Sequence, residues 1–222
     1  MNLDVLLKKI AQNQSLTPQE LDELGRFGVE TQQRNSFIAG NTTPQNQLNI
    51  NFPFFPIFSE VLTADRASIE VQIPGDYKHL MIFGQGRVSA ANGGNVWCQF
   101  NRDTGSNYSW TVISGNGATS GSAEDTSDTH AALGLFSNTG DPAGSASSFE
   151  AKIMHYISPF HQMVLASTYY SDNTTRTLYS IGSKWASTDT IKSIEIYATD
   201  NTLAKGTTNI LAGSVISIYG IL

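Results

Sequence analysis

A chain of 222 residues with a single cysteine, Cys98, holds no intrachain disulfide and no zinc-ligand pattern, and it is long enough to bury a core without either. Charged residues are only 14% of the chain and the net charge is −6, so the polar surface must be Ser, Thr, Asn, Gln and Gly, and nonspecific nucleic-acid binding is disfavoured. No apolar run reaches the roughly 18 residues of a membrane-spanning helix, and MNLDVLLKKIAQ lacks the charged-then-apolar order of a signal peptide, so export by the secretory route is not expected.

The first predicted element is a helix over residues 2–13. Leu3, Leu6, Leu7 and Ile10 share one face, and Asp4, Lys8, Lys9 and Gln12 the other. A helix this short is marginal alone, so its apolar face calls for a partner surface. A second helix opens at Thr17 as N-cap, with Pro18 at N1, Glu20 closing a capping box, and Leu16 and Leu21 placed as a hydrophobic staple. Leu21, Leu24 and Phe27 continue its apolar face, and Gly25 and Gly28 weaken it. These seven apolar residues are the candidate docking or oligomerisation contacts of a helical segment spanning residues 1–50.

Asn41–Asn51 is polar and low in charge, as a linker is. Phe52–Phe58 (FPFFPIF) follows, and its prolines bar a central strand. It reads either as an extended segment lying on the first sheet or, through Phe52, Phe54 and Phe55, as an apolar plug at a subunit interface.

From here to residue 222 the grammar is β. Ile69, Val71 and Ile73 alternate with Ser68, Glu70 and Gln72, giving a strand with one buried and one wet face. Tyr77–Ser89 is a long strand whose Leu80–Phe83 portion is apolar on both faces, as in a central or interface strand. Val96–Asn101 and Asn107–Ile113 follow, divided by the turn Arg102–Ser106. Ser114–Thr129 reads as a long polar loop. Strands are predicted at Ala131–Phe136, Phe149–Ile157, Gln162–Thr168, Thr175–Trp185, Ile191–Thr199 and Ser214–Leu222. That makes nine or ten strands at sandwich spacing and no helix among them. The fold class is mainly β, an antiparallel, jelly-roll-like β-sandwich over residues 51–222 with a short α-helical N-terminal extension.

Chemistry-bearing patterns are few. His79, His130, His155 and His161 have no metal-ligand spacing. No nucleophile elbow, P-loop or dinucleotide fingerprint is present, and Gly84-Gln85-Gly86 reads as a bulge or close backbone contact. Asn101–Asn107 (NRDTGSN) resembles part of a calcium loop, but the terminal bidentate Glu is missing, and a hairpin turn accounts for it. Glu124, Asp125 and Asp128 offer a carboxylate pair for glycoside cleavage, but in a Ser/Gly stretch ill suited to hold a fixed separation. No catalytic residue, metal or cofactor is assigned. Trp97, Tyr108 and Trp110, beside Asn and Ser, are candidates for stacking on sugars, as are Tyr169 and Tyr170, with core packing as the competing role.

Four segments carry a likeness. YKHLMIFGQGRV, VWCQFNRDTGSNYSW, KWASTDTIKSIEIYATDNT and the ending AGSVISIYGIL, in that order, resemble a recurrent module of tailed-bacteriophage virion proteins. That module has a Y-K/R-H-L strand, an F-N-x-D-x-G-x-N-Y turn and a final G-S-x-x-x-I/L-Y-G-I strand. The resemblance covers about residues 60–222 and lacks the fibre shaft or depolymerase β-helix that many such proteins place between anchor and head. It implies a non-enzymatic virion protein, an appendage of fibre, spike or decoration type exposed on the particle. Residues 1–50 would dock it on capsid, neck or tail proteins, and copies of itself would form a homotrimer. It also places the terminal strand, with Ile216 and Ile218 inward, beside the first strands. A host-receptor protein recognising surface glycan is the alternative, and a polysaccharide hydrolase the third reading.

Overall fold

Apolar alternation and Gly/Asn/Ser turns divide the chain into twelve strands among the described residues. These are β1 (Phe54–Val61), β2 (Ser68–Gln72), β3 (His79–Gly86), β4 (Asn95–Phe100), β5 (Tyr108–Gly115), β6 (Ser120–Asp128), β7 (Ala131–Leu135), β8 (Ser147–Ile153), β9 (Gln162–Ser171), β10 (Arg176–Trp185), β11 (Ser193–Thr199) and β12 (Val215–Ile221). The computed structural model describes Lys9, Thr17 and residues 54–142, 144–171, 176–200 and 205–222. The chain divides between Phe52 and Pro53 into two units, and the account below concerns the second. Leu3, Leu6, Leu7, Ile10, Leu21, Leu24, Phe27 and Phe52 lie outside the described residues.

Two antiparallel sheets result. One has eight strands in the order β1-β12-β3-β8-β9-β10-β5-β6; the other has four, β2-β11-β4-β7. If the hairpins β5–β6 and β9–β10 are set aside, the remaining eight strands pair first with last. β1 pairs with β12, β2 with β11, β3 with β8 and β4 with β7. A long antiparallel hairpin of four such pairs, rolled so that successive pairs alternate between two sheets, is a jelly roll. The two inserted hairpins join each other through β10 and β5 and dock on β8 through β9, which widens one sheet from four strands to eight.

The core lies between the sheets. Ile69 and Val71 of β2, Leu80 and Ile82 of β3, Ile194 and Ile196 of β11, and Ile216 and Ile218 of β12 are all buried, each side chain contributing about 1.5–3 kcal/mol of transfer free energy. Phe149 of β8 is the closest point of contact. An added Cβ on Gly84 or on Gly134 would enter its space, so those two backbones approach the ring as only glycine permits. The mixed apolar faces of Leu80–Phe83 therefore mark a central strand, with Leu80 and Ile82 inward and Phe83 on the outer side.

Besides shifts of a few residues at other strand ends, three segments differ from the sequence expectation. Ser120–Asp128 is a strand, β6, although its only buried side chain is Asp128 at its end. Asn116 builds the preceding turn, its Oδ1 accepting from the N–H groups of Ala118 and Thr119, and backbone pairing to β5 does the rest. β8 stops at Ile153 rather than residue 157, because His155 takes a positive φ of 52° and turns the chain. Phe54–Val61 is a true strand, β1. Its Pro56 is tolerated because β1 is an edge, and the register slips between Pro56 and Phe58.

Candidate functional site

The F-N-R-D-T-G-S-N-Y stretch is a corner that carries the chain from β4 in the small sheet to β5 in the large one. It is not a hairpin, because β4 and β5 belong to different sheets. Asn101 and Arg102 both adopt positive φ, 54° and 58°, and Asp103 N–H closes the turn on Phe100 O at 2.9 Å. Asn101 tolerates this conformation and uses its side chain elsewhere. Its Oδ1 accepts from Lys192 N and Ser193 N at 2.7 and 3.1 Å, and its Nδ2 donates to Thr190 O. Asp103 accepts from Trp185 Nε1 at 2.7 Å, from Gly105 N and from Asn107 Nδ2. Burial pushes the Asp103 carboxyl up, but these donors outweigh it and hold it below the usual carboxylate range. A carboxylate engaged by N–H donors on both oxygens is not arranged as a calcium ligand. Among the described residues no group of three or more His, Cys, Asp or Glu is placed to hold a metal ion.

Beside this corner lies a polar depression of about 690 Å³. Glu70, Arg102, Thr188, Asp189, Thr190 and Lys192 are among its lining residues. Arg102 forks onto both oxygens of Glu70 at 2.8 Å; that bond and its charge lower the Glu70 pKa, and the guanidinium rises in turn. The pair is solvent-exposed and closes on itself, leaving the depression without an aromatic wall.

The aromatic candidates sort differently from the sequence reading. Trp97 is buried. Its Nε1 donates to Thr199 Oγ1 at 2.8 Å, and its ring lies 4.1 Å from that of His130 and 5.8 Å from that of Trp110. Tyr108 is buried too, with its hydroxyl accepting from Phe100 N and its ring stacked on Trp185. Neither presents a face to a sugar: β4 is covered on both sides, so Trp97 and Gln99 are as enclosed as Val96 and Cys98. Trp110 is half-buried, donating to Asp128 Oδ2 at 2.7 Å. Asp128, so engaged, lies under Trp110, while Asp125 caps Ser127 N–H, so the carboxylates of β6 do not converge on a cleft. His130 Nε2 lies 3.3 Å from Asp128 Oδ2 but too far off line to bond, and it is left without a partner. Tyr170 is half-buried and bonds Asp141. Tyr169 is exposed.

The surface that stands out was not singled out from sequence. It is the outer face of the eight-stranded sheet, where Met163, Leu165 and Tyr169 of β9, Leu178 of β10, Ile113 of β5 and Phe83 of β3 are all exposed. A shallow groove of about 470 Å³ crosses it between Phe83, Glu150, Tyr169 and Leu178. Of the candidate interface residues, Phe54 lies on this face with its ring edge-on to Tyr219, while Phe55 is half-buried, stacked on Tyr77. The signal in the sequence was the run Met163-Val164-Leu165-Ala166, apolar in both phases of a strand.

Comparison with protein-family models and with curated proteins finds no match for this chain.

Proposed function

We propose that this chain is a structural protein of a bacteriophage virion, an appendage docked through residues 1–50 on capsid, neck or tail proteins, displaying its jelly roll outward as a homotrimer. The observation that carries the reading is how the four motif segments meet. Asp103 of the second binds Trp185 of the third, and Asn101 of the second holds the backbone of Lys192 and Ser193 in the third. Lys78 N–H of the first bonds Ile221 O of the fourth, and the Tyr77 ring occupies the space over Gly220. The four short likenesses thus fall into two contacting pairs within one sandwich, and agreement among positions that touch supports the reading more than four separate matches would. A disulfide-free domain with few charges suits a particle outside the cell. The test is a chain lacking residues 1–40: it is expected to fold and to be missing from assembled particles. Normal incorporation of that deletion would contradict docking by the N-terminal segment.

A further inference from the structure

We infer that the outer face of the eight-stranded sheet is the surface on which copies of this chain assemble, each turning that face toward the common symmetry axis and packing it against the same face of its neighbours. The inference rests on the homo-oligomer of the proposed function and names the surface that builds it.

Four observations carry it. The first is composition. A solvated face of an antiparallel sheet is ordinarily polar, yet here Leu165 and Leu178 are both 58% exposed and Ile113 is 62% exposed, in three successive rows across the adjoining strands β9, β10 and β5. The second is shape. The row across the middle of the face runs Ser59, Ser217, Phe83, Glu150, Ser167, Ser180, Ile113, Ser122. Five of its eight side chains are small serines, so a broad surface such as another sheet can come close to the strands along it.

The third is Gly182. It sits mid-strand in β10, on the outer side, directly opposite Leu165, and a Cβ built there meets nothing within 4 Å. Among the described residues nothing therefore requires glycine there, at a position where glycine weakens a strand. Glycine mid-strand is one mark of a place where another backbone comes close, and on this side of the sheet that approach comes from beyond the described strands.

The fourth concerns size and charge. Eight strands about 4.8 Å apart, with four outward rows, give a face of about 800 Å², which is what each partner contributes to a stable interface. The same face bears Glu150, Lys152 and Lys184, acidic and basic groups side by side, with Lys152 Nζ 3.9 Å from Glu150. On a chain of net charge −6 these charges nearly offset one another, and symmetric copies can match them pairwise.

The experiment is light scattering on the full-length chain during size exclusion at micromolar concentration, with near-UV circular dichroism on the same samples. The wild type is expected at a small integer multiple of 24.0 kDa. Gly182→Arg and, separately, Leu165→Glu are expected to run as monomers that keep the near-UV bands of the buried Trp97 and Trp185, since both substituted positions are open in the isolated fold. Gln72→Arg, an exposed position on the small sheet, is expected to leave the oligomer intact. A monomeric wild type, or an oligomer that survives both face substitutions, overturns the inference; survival would point to residues 1–53 as the glue. An oligomer lost on Gly182→Arg from a chain absent from virions would leave this surface standing and remove the virion reading, so the two claims fail separately.

Discussion

Trp185 donates its indole N–H to Asp103 at 2.7 Å, joining the end of β10 to the corner after β4 across 82 positions of sequence. The same carboxylate takes the N–H of Gly105 and the amide of Asn107, so one side chain holds the corner together and ties it to β10. Asp103→Ala is expected to cost about 1.5–3 kcal/mol, the range for hydrogen bonds to a charged group, read from urea denaturation. Because the folded carboxyl titrates below its unfolded value, this contribution is complete above the ordinary carboxylate pKa and is lost as pH falls through the depressed one. Calcium or a chelator is expected to leave the melting temperature unchanged; a rise with calcium would restore the calcium-loop reading.

His130 predicts a second pH dependence. It is buried beside Trp97 and Tyr197, and burial lowers its pKa although Asp128 and Asp125 pull the other way. The unfolded chain takes up a proton near pH 6.5 that the folded chain resists. Stability is therefore complete above about that pH and declines as pH falls toward the folded pKa. His79 adds in the same direction, lowered by burial and by His155 and Lys78. His130→Phe, which keeps an aromatic ring against Trp97, is expected to flatten part of the slope between about pH 7 and pH 5.5. An identical slope in the variant would remove His130 from the account.

Arg87 secures the loop between β7 and β8. Its guanidinium donates to the backbone oxygens of Asn138, Asp141, Pro142 and Ser145 at 2.6–3.2 Å. A lysine supplies one point of charge instead of a planar fork, so Arg87→Lys is expected to recover little of what Arg87→Ala loses. Hydrogen exchange of residues 138–147 would report it: faster exchange in both variants, with the rest of the sheet unchanged.

The glycines separate by what surrounds them. Gly134→Ala would set a Cβ against Thr168 Oγ1 and Phe149, and is expected to cost about 1–3 kcal/mol by overpacking. Gly182→Ala meets open space and is expected to stabilise the isolated fold by about 0.5–1 kcal/mol. Measured in the Leu165→Glu background, which is expected to be monomeric, thermal melts of the two variants should move in opposite directions; a destabilising Gly182→Ala there would mean that glycine serves the fold and not an approaching neighbour.

Cys98 is fully buried in the small sheet, and its thiol pKa is pushed up by that burial. Iodoacetamide is expected to leave it unmodified in the native protein and to alkylate it in denaturant. Rapid labelling of the folded chain would contradict the packing around β4.

Much of the fold was legible because the strands that matter most alternate cleanly. Ile69, Val71 and Ile73 announced their buried phase, and Ile216 and Ile218 announced the strand that β1 and β3 flank. β6 was not legible. Its sequence, SGSAEDTSD, carries no apolar phase, and it is a strand because β5 offers a paired backbone between the Asn116 turn and the Trp110–Asp128 bond. The choice between sugar stacking and core packing at Trp97 and Tyr108 was open in the sequence because pattern shows alternation but not what covers the second face; His130 and Trp110 do that for Trp97. The outer face of the large sheet escaped for the same reason. A run apolar in both phases gives no hint of which phase is left uncovered until β8, β9 and β10 are in register.

The virion reading is tested most directly by whether the chain is in the particle. Quantitative mass spectrometry of density-gradient-purified virions, with antibody labelling seen by electron microscopy, is predicted to find this chain at a fixed copy number and at one defined place on the particle. A chain abundant in the lysate but missing from purified virions would contradict it.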